Sequence, residues 1–469
     1  VKKQLRAAFF VYTKNKKKKM TLSVVILAAG KGTRMCSDLP KVLQPLANKP
    51  LIKYVVDSAL SLNPLDVSIV VGYRAETIKS VFSKNSFNWP LQKEQLGTGH
   101  ALQQAAPFIL GDVTLILYGD VPLIDVDDLK KLISLTKGGI SIMTFNKGDS
   151  KGYGRVVRDN NKIIAIVEDK DCSSAEKKIS EINSGIMAVD SKKLKKWLKQ
   201  LSNNNQQKEY YLTDIVKFAV EDNSRISSYQ ALDEITITGI NSKYELAMME
   251  RAYQMSLAKK LMDQGVTIID PNRIDIRGEL TCGQDVTIDV GCVFEGKVIL
   301  GEGVHVKAYT ILKSCEIKKN TVIESFSHID SSVVGEQNRI GPFARLRPGC
   351  NLAENVHVGN YVEVKNAQIG MGTKINHLSY IGDAEIGSDV NIGAGTITCN
   401  YDGANKYKTI IESNVFVGSD TQLIAPVKIG QGATIGAGST ITEDVPAEKL
   451  TLSRTEQKTV PDWKRPTKK

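Results

Sequence analysis

The sequence predicts an α/β domain followed, after a connecting helix, by a parallel β-helix. Three observations predict it: apolar strands alternating with helical stretches in the first half, a glycine-rich loop directly after the first strand, and a six-residue aliphatic repeat in the second half. The chain has 469 residues, long enough for two domains, and 42% of them are hydrophobic, ample for two cores. No run approaches the roughly 18 apolar residues of a membrane span.

The net charge of +11 sits mostly at one end. Residues 1–20 carry seven lysines and Arg6 with no acid, which leaves +3 for the other 449 residues. Such a near-neutral body argues against nucleic-acid binding. The apolar stretch at 7–12 is shorter than the ~7–15-residue core of a secretory signal. Residues 1–19 are therefore expected to be a disordered basic leader, with the ordered domain starting near Met20. The seven cysteines (Cys36, Cys172, Cys282, Cys292, Cys315, Cys350 and Cys399) form no C-x-x-C pair. Scattered thiols in odd number fit a reduced, cytoplasmic protein in which they serve packing.

In the first half, apolar runs predict strands at 23–28, 67–71, 113–118, 140–145, 163–168 and 185–189. Helix-compatible stretches lie at 51–60, 99–106 and 126–135. This alternation predicts a mostly parallel sheet covered by helices, with ligands at the carboxyl ends of strands. Two segments fall at such ends. One is Leu27-Ala28-Ala29-Gly30-Lys31-Gly32-Thr33-Arg34-Met35 with Pro40-Lys41 after it; the other is Tyr118-Gly119-Asp120. Glycines let backbone N–H groups approach a charged ligand, and Arg34 and Lys41 add cations, so the loop reads as a phosphate cradle for a nucleoside triphosphate. At a strand end, Asp120 is either a Mg²⁺ ligand or a helix N-cap. Its place beside the cradle favours the metal.

Residues 242–265, rich in Glu, Leu, Ala, Met and Lys, predict a linker helix ending at Gly265. The expected domains are thus 20–241, the linker helix 242–265, and 266–469. In the last of these, aliphatic residues recur every six: Val286, Cys292, Val298, Val304; Ile311, Ile317, Ile323, Ile329; Val334, Ile340, Leu346, Leu352, Val358, Val364; Ile369, Ile375, Ile381; and Val417, Leu423, Ile429, Ile435, Ile441. Neither a helix nor a flat strand sustains this period, whereas a β-helix stacks one inward aliphatic per side. The repeat breaks between about Thr398 and Glu412, where Cys399-Asn400-Tyr401-Asp402-Gly403 is polar, and such interruptions tend to carry function.

Of five histidines, His377 stands out in Asn376-His377-Leu378-Ser379-Tyr380-Ile381-Gly382. A lone histidine on a β-helix is commonly a surface or packing residue. Acyl transfer to an amine, however, needs a base, and an imidazole titrating near ~6.5 suits that task.

Leu27–Met35 with Pro40-Lys41, Leu91–His100, Tyr118–Leu123 and Tyr153-Gly154-Arg155 resemble the sugar-phosphate nucleotidyltransferases. With Ile166-Val167-Glu168, Glu181–Gly185 and the repeats added, the chain from Met20 onward resembles the bifunctional bacterial N-acetylglucosamine-1-phosphate uridylyltransferase/glucosamine-1-phosphate acetyltransferase family. The resemblance implies a Rossmann-like nucleotidyltransferase domain and a left-handed, homotrimeric β-helix of hexapeptide repeats. It also implies a cytoplasmic enzyme making UDP-N-acetylglucosamine for cell-wall and lipopolysaccharide synthesis. UTP, hexosamine-1-phosphates and acetyl-coenzyme A would be its small-molecule partners, with neither nucleic acid nor membrane among them.

By the same resemblance, Leu27, Ala28, Ala29, Gly30, Arg34 and Lys41 would hold the triphosphate, with Arg34 and Lys41 assisting catalysis. Gln92, Gly97 and Thr98 would read uracil, and Tyr118, Gly119 and Asp120 would line the same site. Gly154, Glu168 and Asn183 would bind the N-acetylglucosamine portion, while Asp120 and Asn241 would hold one or two Mg²⁺. In the repeats, His377 would be the general base. Arg347 and Lys365 would fix the sugar phosphate, and Tyr380 and Asn391 would touch the sugar. Ala394, Asn400, Tyr401, Ser419, Ala437 and Arg454 would line the acetyl-coenzyme A site. Asn376 departs from the family, which favours a small residue before the histidine, so the loop geometry there is open. Two other readings fit parts of the pattern: a single-function nucleotidyltransferase whose β-helix only assembles, and a non-enzymatic nucleotide-sensing subunit. His377 with Arg347 and Lys365 opposes the first; Arg34, Lys41, Asp120 and Asn241 together oppose the second.

Overall fold

The computed structural model describes residues 20–468, so the basic leader lies outside the described residues. They form two compact units that divide between Met249 and Glu250, inside the helix Lys243–Asp263.

In the first unit the strand Leu22–Ala28 is buried along its whole length, as a strand covered on both faces must be. Val24, Ile26 and Ala28 enter one core, and Val25, Leu27 and Ala29 enter the other. The strand pairs in parallel with Asp66–Val71 on one side and Val113–Tyr118 on the other. The helix Leu51–Ser61 buries Leu51, Ile52, Val55, Val56 and Ala59, the spacing of one helical face. Asp125 starts the helix Val126–Leu135 by accepting the backbone N–H groups of Asp127 and Asp128 at 2.8 and 3.0 Å, a side-chain N-cap.

The sheet has eight strands, of which six share one direction. Lys162–Val167 and Glu181–Asp190 run the other way. The second of these pairs antiparallel with both Val113–Tyr118 and Ile140–Asn146. This reversal matters for the site. It brings the first residues of the strand, Asn183 among them, to the edge where the forward strands end. A Cβ built on Gly185 would lie 2.7 Å from the Tyr118 ring, so only glycine lets the two strands close there.

In the second unit, short strands from Thr267–Ile268 to Leu450–Thr451 stack into an eleven-stranded sheet, while longer ones such as Ile274–Cys282 bend within a fifteen-stranded sheet. Their pairings are parallel, coil upon coil. Ile317, Ile323, Ile329, Val334, Ile340 and Leu346 point inward with no exposed surface, each such burial being worth roughly 1.5–3 kcal/mol. One expected position is corrected. Ile311 faces outward, 38% exposed, and Leu312 takes the inward place. From Leu312 to Ile317 the step is five residues because the coil turns tightly at Ser314, with φ +45°. The same shortening recurs at Ser331, Asn366 and Asp383, all with positive φ, which explains why the six-residue series keeps restarting. Between Cys399 and Thr409 the chain leaves the coil, and Thr409 rejoins it in register with Ala384 and Val427.

Candidate functional site

Two cavities open at the carboxyl edge of the first unit's sheet. One, about 350 Å³, is lined by Leu27, Ala28, Ala29, Gly30, Lys41, Gln92, Gly97, Thr98, Tyr118 and Asp120, together with Val42, Gln95, Ala101 and Glu209. The other, about 450 Å³, is lined by Arg34, Asn241, Lys147, Lys151, Tyr153, Ser184 and Glu245 among others. Tyr118 and Asp120 border both. Such volumes suit small-molecule ligands, and two ligands placed here would meet at Asp120.

The cradle is built by its glycines. Gly32 has φ +64°, and a Cβ there would lie 2.6 Å from the Lys41 Cβ. A Cβ on Gly30 would meet nothing within 4 Å, so that side of the loop is open to a ligand. Gly97 precedes the helix Thr98–Ala105 with φ +106° and ψ 173°, a region open only to glycine. Its carbonyl accepts from Gln92 Nε2 at 3.0 Å, fixing the buried amide. Gly97→Ala would set a Cβ 2.7 Å from the Tyr210 carbonyl oxygen. The expected result is a loss of about 1–3 kcal/mol of stability and a raised KM for the nucleotide, read by thermal denaturation and by pyrophosphate release.

Lys41 organises the floor. Its Nζ donates to Asp120 Oδ2 in a close ion pair and to Asn241 Oδ1 at 3.1 Å. Asp120 is therefore no helix cap, that role in the following helix falling to Asp125. Two oxygens from distant parts of the chain converge on one cation position. Hard oxygen donors in that number are what Mg²⁺ takes from a protein, the rest coming from phosphate and water, so the residues fit a divalent ion. Asn241 is held by the start of the helix Lys243–Asp263: its backbone N–H donates to Glu245 Oε2 at 2.6 Å, while Ser242 Oγ accepts from the Glu245 N–H at 3.2 Å.

Gly154, Glu168 and Asn183 line neither cavity and form a group of their own. Gly154 and Asn183 are strand partners, and a Cβ on Gly154 would sit 3.6 Å from Glu168 Oε2. Burial pushes the Glu168 carboxyl up, against a 2.9 Å hydrogen bond from Thr213. Burial likewise raises the Tyr118 phenol, with the Glu168 and Asp120 charges adding to it. Gly119 donates its N–H to the Leu27 carbonyl at 2.9 Å, tying the two strand ends together.

On the β-helix, His377 is exposed and its Nδ1 lies 2.9 Å from Asn360 Oδ1, its partner one coil below. An acceptor at that distance places the ring proton on Nδ1 and leaves the Nε2 lone pair free. Asn376 leaves the register with the coil below undisturbed, since Ile375 and His377 on either side of it pair with Val358 and Asn360. Arg347 donates to Glu363 at 2.9 Å. Lys365 lies beside Lys406 of the excursion and holds it below the usual lysine range. Burial works against the charge of neighbouring Asp383, yet the Asn366 and Asn400 amides and these two lysines keep it below the usual carboxylate range. Tyr380 is the strand partner of Glu363 and Ile397, and Asn391 pairs with Lys374 and Phe416. Ala394, Ser419 and Ala437 follow one another up the same corner: the Ala394 carbonyl accepts from the Asp420 N–H at 2.7 Å, and Ser419 from Gly438 at 2.8 Å. Arg454 Nη1 continues the column by donating to the Ala437 carbonyl at 2.9 Å, and Tyr401 bridges Lys406 within the excursion.

Sequence reasoning missed Glu245, Asn360, Lys147 and Lys406. The spacing Ser242-x-x-Glu245 is a capping signal that marks the first. The others carry no local signal, because stacking between coils or loop closure creates their neighbourhoods.

The model of the MobA-like NTP transferase domain matches residues 24–203. That of the GMPPB C-terminal domain matches 276–374, and that of the bacterial transferase hexapeptide (six repeats) matches 408–443. Among solved structures, the chain is similar to a putative glucose-1-phosphate thymidylyltransferase from Bacillus anthracis at 21% identity, TM-score 0.41, over 49% of this chain and 94% of that one. It is also similar to a UDP-glucose pyrophosphorylase at 18% identity, TM-score 0.43, over 50% and 98%. A curated relative, the bifunctional protein GlmU of Nitrosospira multiformis, is 54% identical over 452 residues, 96% of this chain and 98% of the relative. Identity at that level along nearly the whole of both chains, with a nucleotidyltransferase domain ahead of hexapeptide repeats, makes this chain a member of the bifunctional GlmU family, a nucleotidyltransferase and an acetyltransferase on one polypeptide.

Proposed function

We propose that the β-helix transfers acetyl from acetyl-coenzyme A to glucosamine-1-phosphate, and that the first unit then couples the product to UTP, forming UDP-N-acetylglucosamine and pyrophosphate. The observation that carries the second step is the pair of cavities meeting at Asp120 and Tyr118. The sugar-phosphate oxygen attacks the α-phosphorus of UTP, the bond to the β-phosphate breaks, and pyrophosphate leaves. Two anions repel as they meet, and Arg34 and Lys41 offset that repulsion. Asp120 and Asn241 would hold Mg²⁺, which supplies further neutralisation of the phosphates when bound. Gln92, Gly97 and Thr98 position the base, while Gly154, Glu168 and Asn183 position the N-acetylated sugar.

In the first step the amine attacks the thioester carbonyl, the C–S bond breaks, coenzyme A leaves as the thiol, and the amine proton passes to His377 Nε2. Asn360 keeps the ring in the tautomer that can accept it. Arg347, Lys365 and the missed Lys406 suit the sugar phosphate, with Tyr380 and Asn391 on the sugar. Ala394, Asn400, Tyr401, Ser419, Ala437 and Arg454 flank the acetyl donor. We place the enzyme in the cytoplasm as a homotrimer built through the β-helix; among the described residues no helix is long and apolar enough to cross a membrane.

Paired assays on one preparation test this. Coenzyme A release from acetyl-coenzyme A and glucosamine-1-phosphate is followed beside pyrophosphate release from UTP and N-acetylglucosamine-1-phosphate. A chelator is expected to stop the second, with Mg²⁺ restoring it, and to leave the first intact. Pyrophosphate release that survives chelation removes the metal role given to Asp120 and Asn241.

A further inference from the structure

Lys147 and Lys151 line the second cavity of the first unit but have no part in the mechanism above. With Arg34 they set three cations on that lining, against Asp120, Asp149 and Glu245. The acids are already engaged. Asp120 pairs with Lys41, Glu245 accepts from the Asn241 N–H, and Asp149 Oδ1 accepts from the Lys151 N–H at 3.1 Å. Arg34 and Lys151 have no ion-pair partner among the described residues. The cavity is left with uncompensated positive charge, which attracts an anion.

The loop that carries the two lysines is built to hold its position. The Lys147 N–H donates to the Ser180 carbonyl at 3.0 Å, and the Tyr153 N–H donates to the Ser150 carbonyl at 3.2 Å. Between them the buried Ser150 donates its hydroxyl to the Ile179 carbonyl at 3.2 Å. Lys147 Nζ forms a close ion pair with Glu234 and lies 5.2 Å from the centre of the Tyr153 ring. Glu234 opens the turn Glu234–Ile237, and Gly239 and Asn241 just beyond it line the same cavity. The ion pair thus ties together two separate segments of the lining. Burial opposes the Lys147 charge, yet the Glu234 hydrogen bond holds the ammonium above the usual lysine range. Glu234 takes one of its three donors, and two remain for a ligand.

Charge and size define that ligand. The first cavity meets phosphates with the glycine loop and Lys41, whereas the second offers side-chain cations, which suit a phosphate at one end of a molecule. Its volume of about 450 Å³ has room for a hexose phosphate. Tyr153 and Ser184 line it, and their chain neighbours Gly154 and Asn183 belong to the group given above to the N-acetylated sugar. A sugar seated on that group can lay its phosphate in this cavity, toward Asp120. A dianion that must approach a triphosphate needs cations besides those shared with UTP.

We propose that Lys147 and Lys151 receive the phosphate of the incoming hexosamine-1-phosphate, Lys147 fixed by Glu234 and Lys151 presented by the loop that Lys147 anchors. The inference rests on the uridylyl transfer proposed above.

The test measures KM for both substrates through pyrophosphate release by the full chain. Lys151→Gln and Lys147→Gln are each expected to raise the KM of N-acetylglucosamine-1-phosphate about tenfold, the worth of one hydrogen bond to a charged group. The KM of UTP should stay within about twofold, which shows that the domain is folded. Lys151→Arg should restore most of the affinity. Added salt should raise the sugar-phosphate KM more steeply in the wild type than in either glutamine variant, because screening acts on the charges removed. A sugar-phosphate KM within about twofold of wild type in both glutamine variants overturns the proposal, as does an equal rise in the KM of UTP. A wild type that releases no pyrophosphate from these substrates ends the uridylyl reading and this inference with it, whereas normal release with unmoved KM values ends the inference alone.

Discussion

His377→Ala is expected to lower acetyl transfer by about 10²- to 10⁴-fold, the usual contribution of a positioned base, and to leave uridylyl transfer untouched. The amine of glucosamine-1-phosphate becomes a cation as it bonds to the thioester carbon, and a nearby lone pair must take its proton. In the proposed mechanism His377 Nε2 supplies it, with Asn360 Oδ1 2.9 Å from Nδ1 to take the ring proton on the other side. The side chain is exposed, so its truncation costs little folding energy and the loss is a chemical one. Thiol release from acetyl-coenzyme A measures it. A rate within about threefold of wild type would take the base role away from His377.

Asp120→Ala should do the reverse, cutting pyrophosphate release by about 10²- to 10³-fold with acetyl transfer intact. The carboxylate borders both cavities and faces Lys41. Without it, Lys41 keeps only the Asn241 carbonyl of the two partners described for it, and the cation position loses its one formal negative charge. The variant is expected to need far more Mg²⁺ for what activity remains, which a metal titration of the rate would reveal. Normal pyrophosphate release at ordinary Mg²⁺ would refute the assignment. Together the two variants should separate the reactions on a single chain.

How much of this can be read from the sequence depends on how local the cause is. Strand Val113–Tyr118 and helix Val126–Leu135 have the predicted bounds, since each has a clean apolar pattern and a turn or cap at its ends. The strand Gly154–Asp159 gives no such signal. It ends in charged residues and leans on Lys162–Val167, so its burial comes from pairing. The helix Ser191–Leu198 hides in a lysine-rich run with Leu194, Trp197 and Leu198 as its buried face. Within the sites, the cradle and Asp120 are visible because glycine and carboxylate act where they stand. Asn360 and Lys406 are not, because they gain meaning only when one coil lies on the next or the excursion folds back. Ile311 was misplaced for a related reason: a five-residue corner shifts the phase without changing the composition.

The excursion between Cys399 and Thr409 has a consequence for descent. Thr409 returns to the pairing it would hold had the chain never left, so the stacked coils carry no record of the detour's length. Doubling such a loop adds only about 0.6 kcal/mol of closure entropy. Insertions and deletions here are nearly invisible to selection for folding. The length of the excursion is therefore set by what its rim, with Asn400, Tyr401 and Lys406, must reach, and not by the scaffold beneath it.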